Sequence, residues 1–349
     1  MKIKFFSFLA PMVVSQVSMA KPLEKINVCF QEYREEMVTA ALMNGEANKI
    51  FEKAGFQINW IKNDEISKRE AGATFHNSNF NTNSKDYYFN GSISEVALLK
   101  SAANKKCDFI STTFEAVVAS KMNLAQLVPV ATYRYGQDYD THLVVRKDSG
   151  INSVKDLKGK KIRINQIGSI IPFENMLKQA GLKPSDVTYE RMALADIPKA
   201  LDEKKIDAVL SYNPTIPLLL GSDRVKILES NIFSRFYGHF VPHSLLVTTK
   251  EFQAQKKDVF EKFMKAFSQA SVELSKKPEN VVYSVPHVSQ LYKAADIEKS
   301  LSFISVAKPL IVTEMGKEAF VEQSNFAKYA SVLQERGFIK DPVDISTWK

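Results

Sequence analysis

Between residues 151 and 214 the apolar positions change period in a regular way, and the rest of the chain is read outward from there. Ser153 to Gly159 is a capped helical turn closed by glycine. Lys161-Ile-Arg-Ile-Asn165 then alternates as a strand does, and Phe173, Met176, Leu177 and Ala180 recur at helical spacing. Ser169 is placed to cap that helix, Pro172 is tolerated in its first turn, and Gly181 stands where a left-handed stop belongs. Val187–Met192 predicts a second strand. Asp196 opens a short helix with Ala200 and Leu201 inside, and Asp207–Ser211 predicts a third strand running to Tyr212-Asn213-Pro214. Strands alternating with helices at this spacing predict a parallel sheet covered on both faces.

The flanking segments carry the same signals less regularly. Ile26–Phe30 predicts a strand, about Glu35 to Ala54 a helix stopped by Gly55, and Phe56–Ile61 a second strand. Residues 62–91 are polar and asparagine-rich, and so long a stretch without periodicity suits a hairpin or a lid over a cleft. Ser92-Ile-Ser-Glu95 is a capping box opening a helix. Cys107–Ser111 predicts a third strand and Leu127–Thr132 a fourth. Further strands are expected at Thr141–Arg146, Val225–Leu228 and Leu245–Thr249. Phe260, Phe263, Met264, Phe267 and Leu274 stripe one face of a long helix from about Val259, a core pattern, and a last helix is expected from about Lys317 to Arg336.

The first twenty residues stand apart. A basic Met1-Lys-Ile-Lys4, an apolar run from Phe5 to Val17 too short to span a bilayer comfortably, and Ser18-Met19-Ala20 predict an export signal cleaved after Ala20. Loss of Lys2 and Lys4 with this leader lowers the formal charge from +8 to +6. The excess lies in scattered pairs such as Lys105-Lys106, Lys160-Lys161 and Lys276-Lys277, which read as solvated surface and not as a nucleic-acid face. The 349 residues suffice for two domains, with 45% hydrophobic and 25% charged residues, as in a globular protein. The two cysteines, Cys29 and Cys107, could pair after export. With Cys107 opening its strand, however, their offset is about 10 Å, which predicts two separate buried thiols.

The ordered pieces Ser153–Ile164, Gly168-Ser169, Gln179–Val187 and Ala200–Val209, with Phe240–Phe252 downstream, resemble the periplasmic substrate-binding proteins of ABC importers. The branch resembled is the nitrate/sulfonate/taurine type, which also includes binders of thiamine-precursor pyrimidines. The resemblance implies an α/β, two-domain type II periplasmic binding fold, each domain a mostly parallel sheet flanked by helices, with the ligand cleft between. It implies a discontinuous first domain, 21–132 with 245–349, crossings at 133–146 and 235–249, and a second domain at 147–234. A permease is the implied partner and a small molecule the implied ligand, bound by a monomer without cofactor or metal.

In open α/β sheets, ligands bind beyond the carboxyl ends of the strands. Those ends supply Tyr33, Thr112, Thr113, Gly168, Ser169, Tyr212 and Asn213 as candidate contacts: backbone donors at Gly168 and Ser169, hydroxyls at Thr112 and Thr113, walls at Tyr33 and Tyr212, an amide at Asn213. Each has a purely structural alternative: helix cap, strand end, turn glycine or interdomain packing. Gln31, Glu32, Glu115, Arg134, Arg235 and His239 are further candidates near the same ends and crossings, as are the structurally placed His142 and His243. Glu115 stands where anion-binding relatives carry small or neutral residues. With Glu32, Asp138 and Asp140 it favours a zwitterionic or heteroaromatic ligand as much as a sulfonate-like one. Three function classes follow: an importer's solute-binding component, an enzyme on the same fold of the pyrimidine-precursor type, or a module presenting solute to a receptor. No nucleophile–base–orienter pattern, phosphate loop or metal-spaced cluster is visible, which favours binding over catalysis.

Overall fold

The computed structural model describes residues 22–30, 37–62, 106–114, 117, 126–134, 140–164, 167–190, 192, 194–238, 242–283, 291–304, 310–311 and 323–335. Eleven strands among them make two sheets. The first has the order β11-β4-β10-β3-β1-β2, built from β1 (Glu24–Phe30), β2 (Phe56–Lys62), β3 (Phe109–Thr113), β4 (Leu127–Arg134), β10 (Pro242–Thr249) and β11 (Leu310–Ile311). The second has the order β7-β6-β8-β5-β9, built from β5 (His142–Arg146), β6 (Lys161–Ile164), β7 (Thr188–Glu190), β8 (Ala208–Ser211) and β9 (Val225–Glu229). The expected α/β architecture of two helix-flanked sheets is present. The β1, β2 and β3 strands run parallel, as do β6, β7 and β8, whereas β5 and β10 each lie antiparallel between two neighbours. That reversal follows from their place in the chain, since each enters its sheet from the other one.

Helices α1 (Met37–Ala47) and α2 (Ile50–Lys53) connect β1 to β2, where one continuous helix was expected. The Asn48 side chain donates to the Asn44 carbonyl at 2.8 Å, and Lys49 takes a left-handed φ of 55°. A side chain competing for a helical carbonyl is a local reason for the break. Helix α3 (Ile167–Gln179) follows β6, α4 (Ile197–Asp202) precedes β8, α5 (Thr215–Gly221) follows it, and α6 (Ile232–Tyr237) leads toward β10. Beyond β10 come α7 (Lys250–Gln255), α8 (Lys257–Lys276), α9 (Asn280–Tyr283), α10 (Ala294–Ser300) and α11 (Gln323–Glu335). Among the described residues, no helix is long and apolar enough to cross a membrane.

Period-two alternation explains how the second sheet is buried on both faces. Leu143, Val145, Ile162, Ile164, Ala208 and Leu210 pack toward Ile170, Phe173 and Leu177 of α3. Val144 and Val209 point the other way, into the cluster that holds Ile197, Leu201, Ile216 and Leu219. In the first sheet the phenylalanine stripe of α8 is buried as its spacing predicts. The Phe263 ring stacks 4.2 Å from Phe109 and 5.2 Å from Phe51. Gly45 lets α1 approach that helix, since a Cβ there would lie 2.7 Å from the Ala270 Cβ. Beside it the buried Asn44 donates to the Ala270 carbonyl at 3.1 Å and accepts from Asn280 at 2.9 Å.

The expectation of two free thiols is overturned. Cys29 and Cys107 form a disulfide with a Cα separation of 5.7 Å, inside the ordinary range. The error lay in the strand boundary. The β3 strand begins at Phe109, two residues later than expected, and Cys107 precedes it between bends at Lys106 and Asp108, so the spacing of an extended strand does not apply to it. The bond reinforces a short seam, because among the described residues β1 and β3 pair at Val28↔Phe109 and Cys29↔Ile110.

The two chain passages between the sheets meet at Asp140. Its carboxylate accepts from the backbone N–H groups of Thr141 at 2.6 Å, Phe233 at 3.1 Å and Ser234 at 3.2 Å. Asp140, at the entry to β5, thus holds the N-terminus of α6 on the return passage. From the other end, the Lys328 ammonium donates to the Phe236 carbonyl near the C-terminus of α6. The Tyr329 ring packs 5.4 Å from Phe233, 4.7 Å from Tyr237 and 5.5 Å from Phe114. Helix α11 therefore ties the end of β3 to the return passage.

Replacing both cysteines, Cys29→Ser with Cys107→Ser, will cost about 2–4 kcal/mol in urea denaturation, as will reduction of the native chain. Asp140→Ala leaves buried N–H groups without an acceptor and will cost about 1–3 kcal/mol, with faster amide exchange at Phe233 and Ser234. Burial raises the Asp140 carboxyl from 3.8 to about 6, so the folded chain holds this proton more tightly than the unfolded one. The associated stability is fully present below 3.8 and is lost as pH rises through about 6. Asp140→Asn will flatten that portion of the pH dependence of the thermal midpoint.

Candidate functional site

The carboxyl end of β8 and that of β3 come together where the sheets meet. Tyr212 follows β8 directly, and its ring lies 5.4 Å from His243, edge to face. His243 sits at the start of β10, one residue before Ser244, which pairs with Thr113. This one ring contact brings strand ends of both sheets to a common place. It does so because β10 runs antiparallel to β3, so that the start of one lies beside the end of the other.

On the side of the second sheet, the first turn of α3 is Ile167, Gly168 and Ser169. Helix N-termini present N–H groups and the positive end of the dipole outward. Ser169 does not stand outside the helix as its cap, because the helix begins two residues earlier. Its buried hydroxyl shares a hydrogen bond of 2.8 Å with that of Thr141. Tyr212 and Asn213 are both buried. On the side of the first sheet, Thr113 is buried beside Ser244, and the Thr39 hydroxyl donates to Ser111 at 2.8 Å. Ser244 accepts from the Val38 N–H at 3.1 Å and so occupies part of the N-terminus of α1. The Thr112 hydroxyl, in a residue only 1% exposed, has no hydrogen-bond partner among the described residues.

Thr112, Thr113, Gly168, Ser169, Tyr212 and Asn213 thus all lie at strand ends or in the first turn of α3. Arg235 does not join them. It is exposed, and its guanidinium donates to Glu229 at 2.7 Å and to the Ser230 carbonyl. Gln31, Glu32, Tyr33, Glu115 and His239 lie outside the described residues, as do the leader and residues 63–100. Of Arg134 only the backbone is described, in β4 opposite Pro242. The expectation that Asp140 lends negative charge to the cleft is corrected. The side chain is 1% exposed and directed at the N-terminus of α6, whose N–H groups it serves.

Two residues went unnoticed in the sequence. Arg163 is 2% exposed and donates to the Ser211 hydroxyl at 3.2 Å. Its alternation signal was present, because Ile162 and Ile164 flank it and face α3, which sends Arg163 to the opposite face. Ser211 itself stands opposite His142 in the β5–β8 register. Burial lowers the His142 pKa, so its imidazole is neutral at pH 7, and its Nδ1 atom has no partner among the described residues. The described groups at this junction are therefore one guanidinium, several hydroxyls, a neutral imidazole and aromatic edges. Such a set can bind and orient a small polar molecule.

The sequence profile of the NMT1/THI5-like family matches residues 93–281, just over half of the chain. Among solved structures, the fold is similar to that of the alkanesulfonate-binding protein SsuA from Xanthomonas axonopodis pv. citri bound to MOPS. That match has 15% identity and a TM-score of 0.61 and covers 94% of this chain and 98% of the other. The periplasmic aliphatic sulphonate binding protein SsuA from Escherichia coli matches at 17% identity, over 93% and 96% of the two chains, with a TM-score of 0.62. The desulfurization enzyme DSZB has the same fold at 11% identity, over 93% and 96%, with a TM-score of 0.58. With its two helix-flanked sheets meeting at their strand ends, the chain belongs to the NMT1/THI5-like family.

Proposed function

We propose that this chain is the periplasmic solute-binding component of an ABC-type importer. It captures a small organic solute, sulfonate-like, zwitterionic or heteroaromatic, between two lobes and presents it to permease subunits. The observation that carries this reading is the Tyr212–His243 contact, which joins strand ends of both sheets at one place. The first lobe comprises 21–132 with 245–349, the second 147–234, and the passages at 133–146 and 235–249 form the hinge. A solute touched by Thr112 and Thr113 from one side and by Gly168, Ser169, Tyr212 and Asn213 from the other favours the closed arrangement. Affinity and closure are then one equilibrium. The disulfide accords with an oxidising compartment and an exported chain. The likeness to SsuA proteins supports a binding role, and the likeness to DSZB keeps an enzyme on this fold as the alternative.

Native mass spectrometry of the protein purified from its own periplasm tests this reading. One small molecule that co-purifies intact and is lost on unfolding is the expected result. Conversion of that molecule by the purified protein would replace transport with catalysis. Thr112→Val then separates binding from folding. Removing an unpartnered buried hydroxyl will raise the thermal midpoint of the empty protein, while the lost hydrogen bond of about 0.5–1.5 kcal/mol weakens solute binding by roughly two- to thirteenfold.

A further inference from the structure

After α8 the chain leaves the first sheet and comes back to it. At α9 it is still on the first layer, where Asn280 donates to Asn44 of α1 and Val281 and Val282 are buried. At β11 it is there again, with Leu310 and Ile311 paired to Thr132 and Ala131 of β4. Between these points α10 lies against α5, the helix that follows the central strand of the second sheet. The approach is close enough to require glycine. A Cβ on Gly221 would fall 2.3 Å from the Asp296 carbonyl oxygen and 2.7 Å from the Ser300 nitrogen, both backbone atoms. Ile297 and Ser300 are buried, and Tyr292 and Ile304 flank them at low exposure.

The charges of this segment match those of the turn after α5. Arg224 is held protonated first by its hydrogen bonds to Asp202, with Tyr292 and Asp296 adding to the same field. Asp223 is lowered first by the hydrogen bond from Lys147, and the Lys299 charge acts in the same direction. An acid and a base on α10 thus lie in the field of a base and an acid beside α5.

We propose that residues 291–304 form a strap fixed to the second lobe, so that the lobes are joined by four chain passages, two of them outside the hinge, and that the strap limits how far they open. The second half of this inference rests on the two-lobe reading above, whereas the first rests on the packing alone. A strap of this kind needs no ligand to be in place. It restrains the empty protein, and it gives the C-terminal third of the chain a mechanical role separate from the site.

Native-state hydrogen exchange of the full mature chain under rising urea tests the attachment. The amides of 297–301 are expected to share the opening behaviour of α5 and β9. Merging with α1 and α9 instead would overturn the assignment. Gly221→Ala is expected to speed exchange in 294–304 by about tenfold while leaving α1 and α9 unchanged. Lys299→Glu, which sets like charges opposite Asp223, serves if the glycine variant does not fold, and must accelerate the same amides in a salt-dependent way. Small-angle scattering of the empty variants tests the restraint. A larger radius of gyration than the native chain is expected. An unchanged radius, with the strap amides demonstrably released, would leave the attachment standing and overturn its role in opening. It would leave solute binding untouched.

Discussion

The arrangement depends on one buried carboxylate. Asp140 stands at the point where the chain enters the second sheet, and it grips the helix through which the chain leaves. Two passages nearly a hundred residues apart in sequence are thereby held as one structural unit. Without that grip the N-terminus of α6 would present buried N–H groups to apolar surroundings, a costly state. The helix is then clasped at its other end by Lys328 and along its flank by Tyr329. Short helices are marginal by themselves. This one, of six residues, is held by neighbours drawn from two distant parts of the chain, Asp140 and the Lys328–Tyr329 pair.

The polar character of the junction follows from that economy. Because Asp140 is occupied by α6, its charge does not oppose an anionic solute. The nearby cation, Arg163, is buried on the opposite face from α3, with Ser211 accepting from it. A guanidinium offers several donors in a fixed plane, and a neutral His142 on the adjoining strand can either donate or accept. Of the carboxylates weighed for a zwitterionic or flat ligand, Asp140 is thereby removed, and Glu32, Glu115 and Asp138 lie outside the described residues.

Periodicity carried most of the architecture, and it failed where long-range partners decide. The stripe on α8 and the alternating strands of the second sheet were legible because burial imposes its period locally. The start of β3 was not, since nothing local distinguishes Cys107 ahead of a strand from Cys107 within one. That two-residue error was enough to reverse the reading of both cysteines. Asp140 looked like a cleft charge because capping partners 93 residues away leave no mark near it in sequence. Arg163 had a visible signal, an arginine between isoleucines in a strand buried on both faces, and was passed over as ordinary alternation. The places of Thr112 and Tyr212 at strand ends were legible because the alternation that marks β3 and β8 stops there. Gly221 offered no hint at all, as its need for glycine comes from a backbone 75 residues on.

The Cys29–Cys107 bond also bears on how this chain can vary. It spans 78 residues and fastens β1 to β3 beside their short seam. Once two strands are fastened covalently, the length of chain between them matters little to whether they meet. Even without the bond, the entropy of closing a loop grows only with the logarithm of its length, about 0.6 kcal/mol for each doubling. As far as loop closure is concerned, the stretch between Lys62 and Lys106 can therefore lengthen or shorten at small cost to the first sheet. That freedom makes it the natural place for related chains to diverge while the sheet beneath keeps its register.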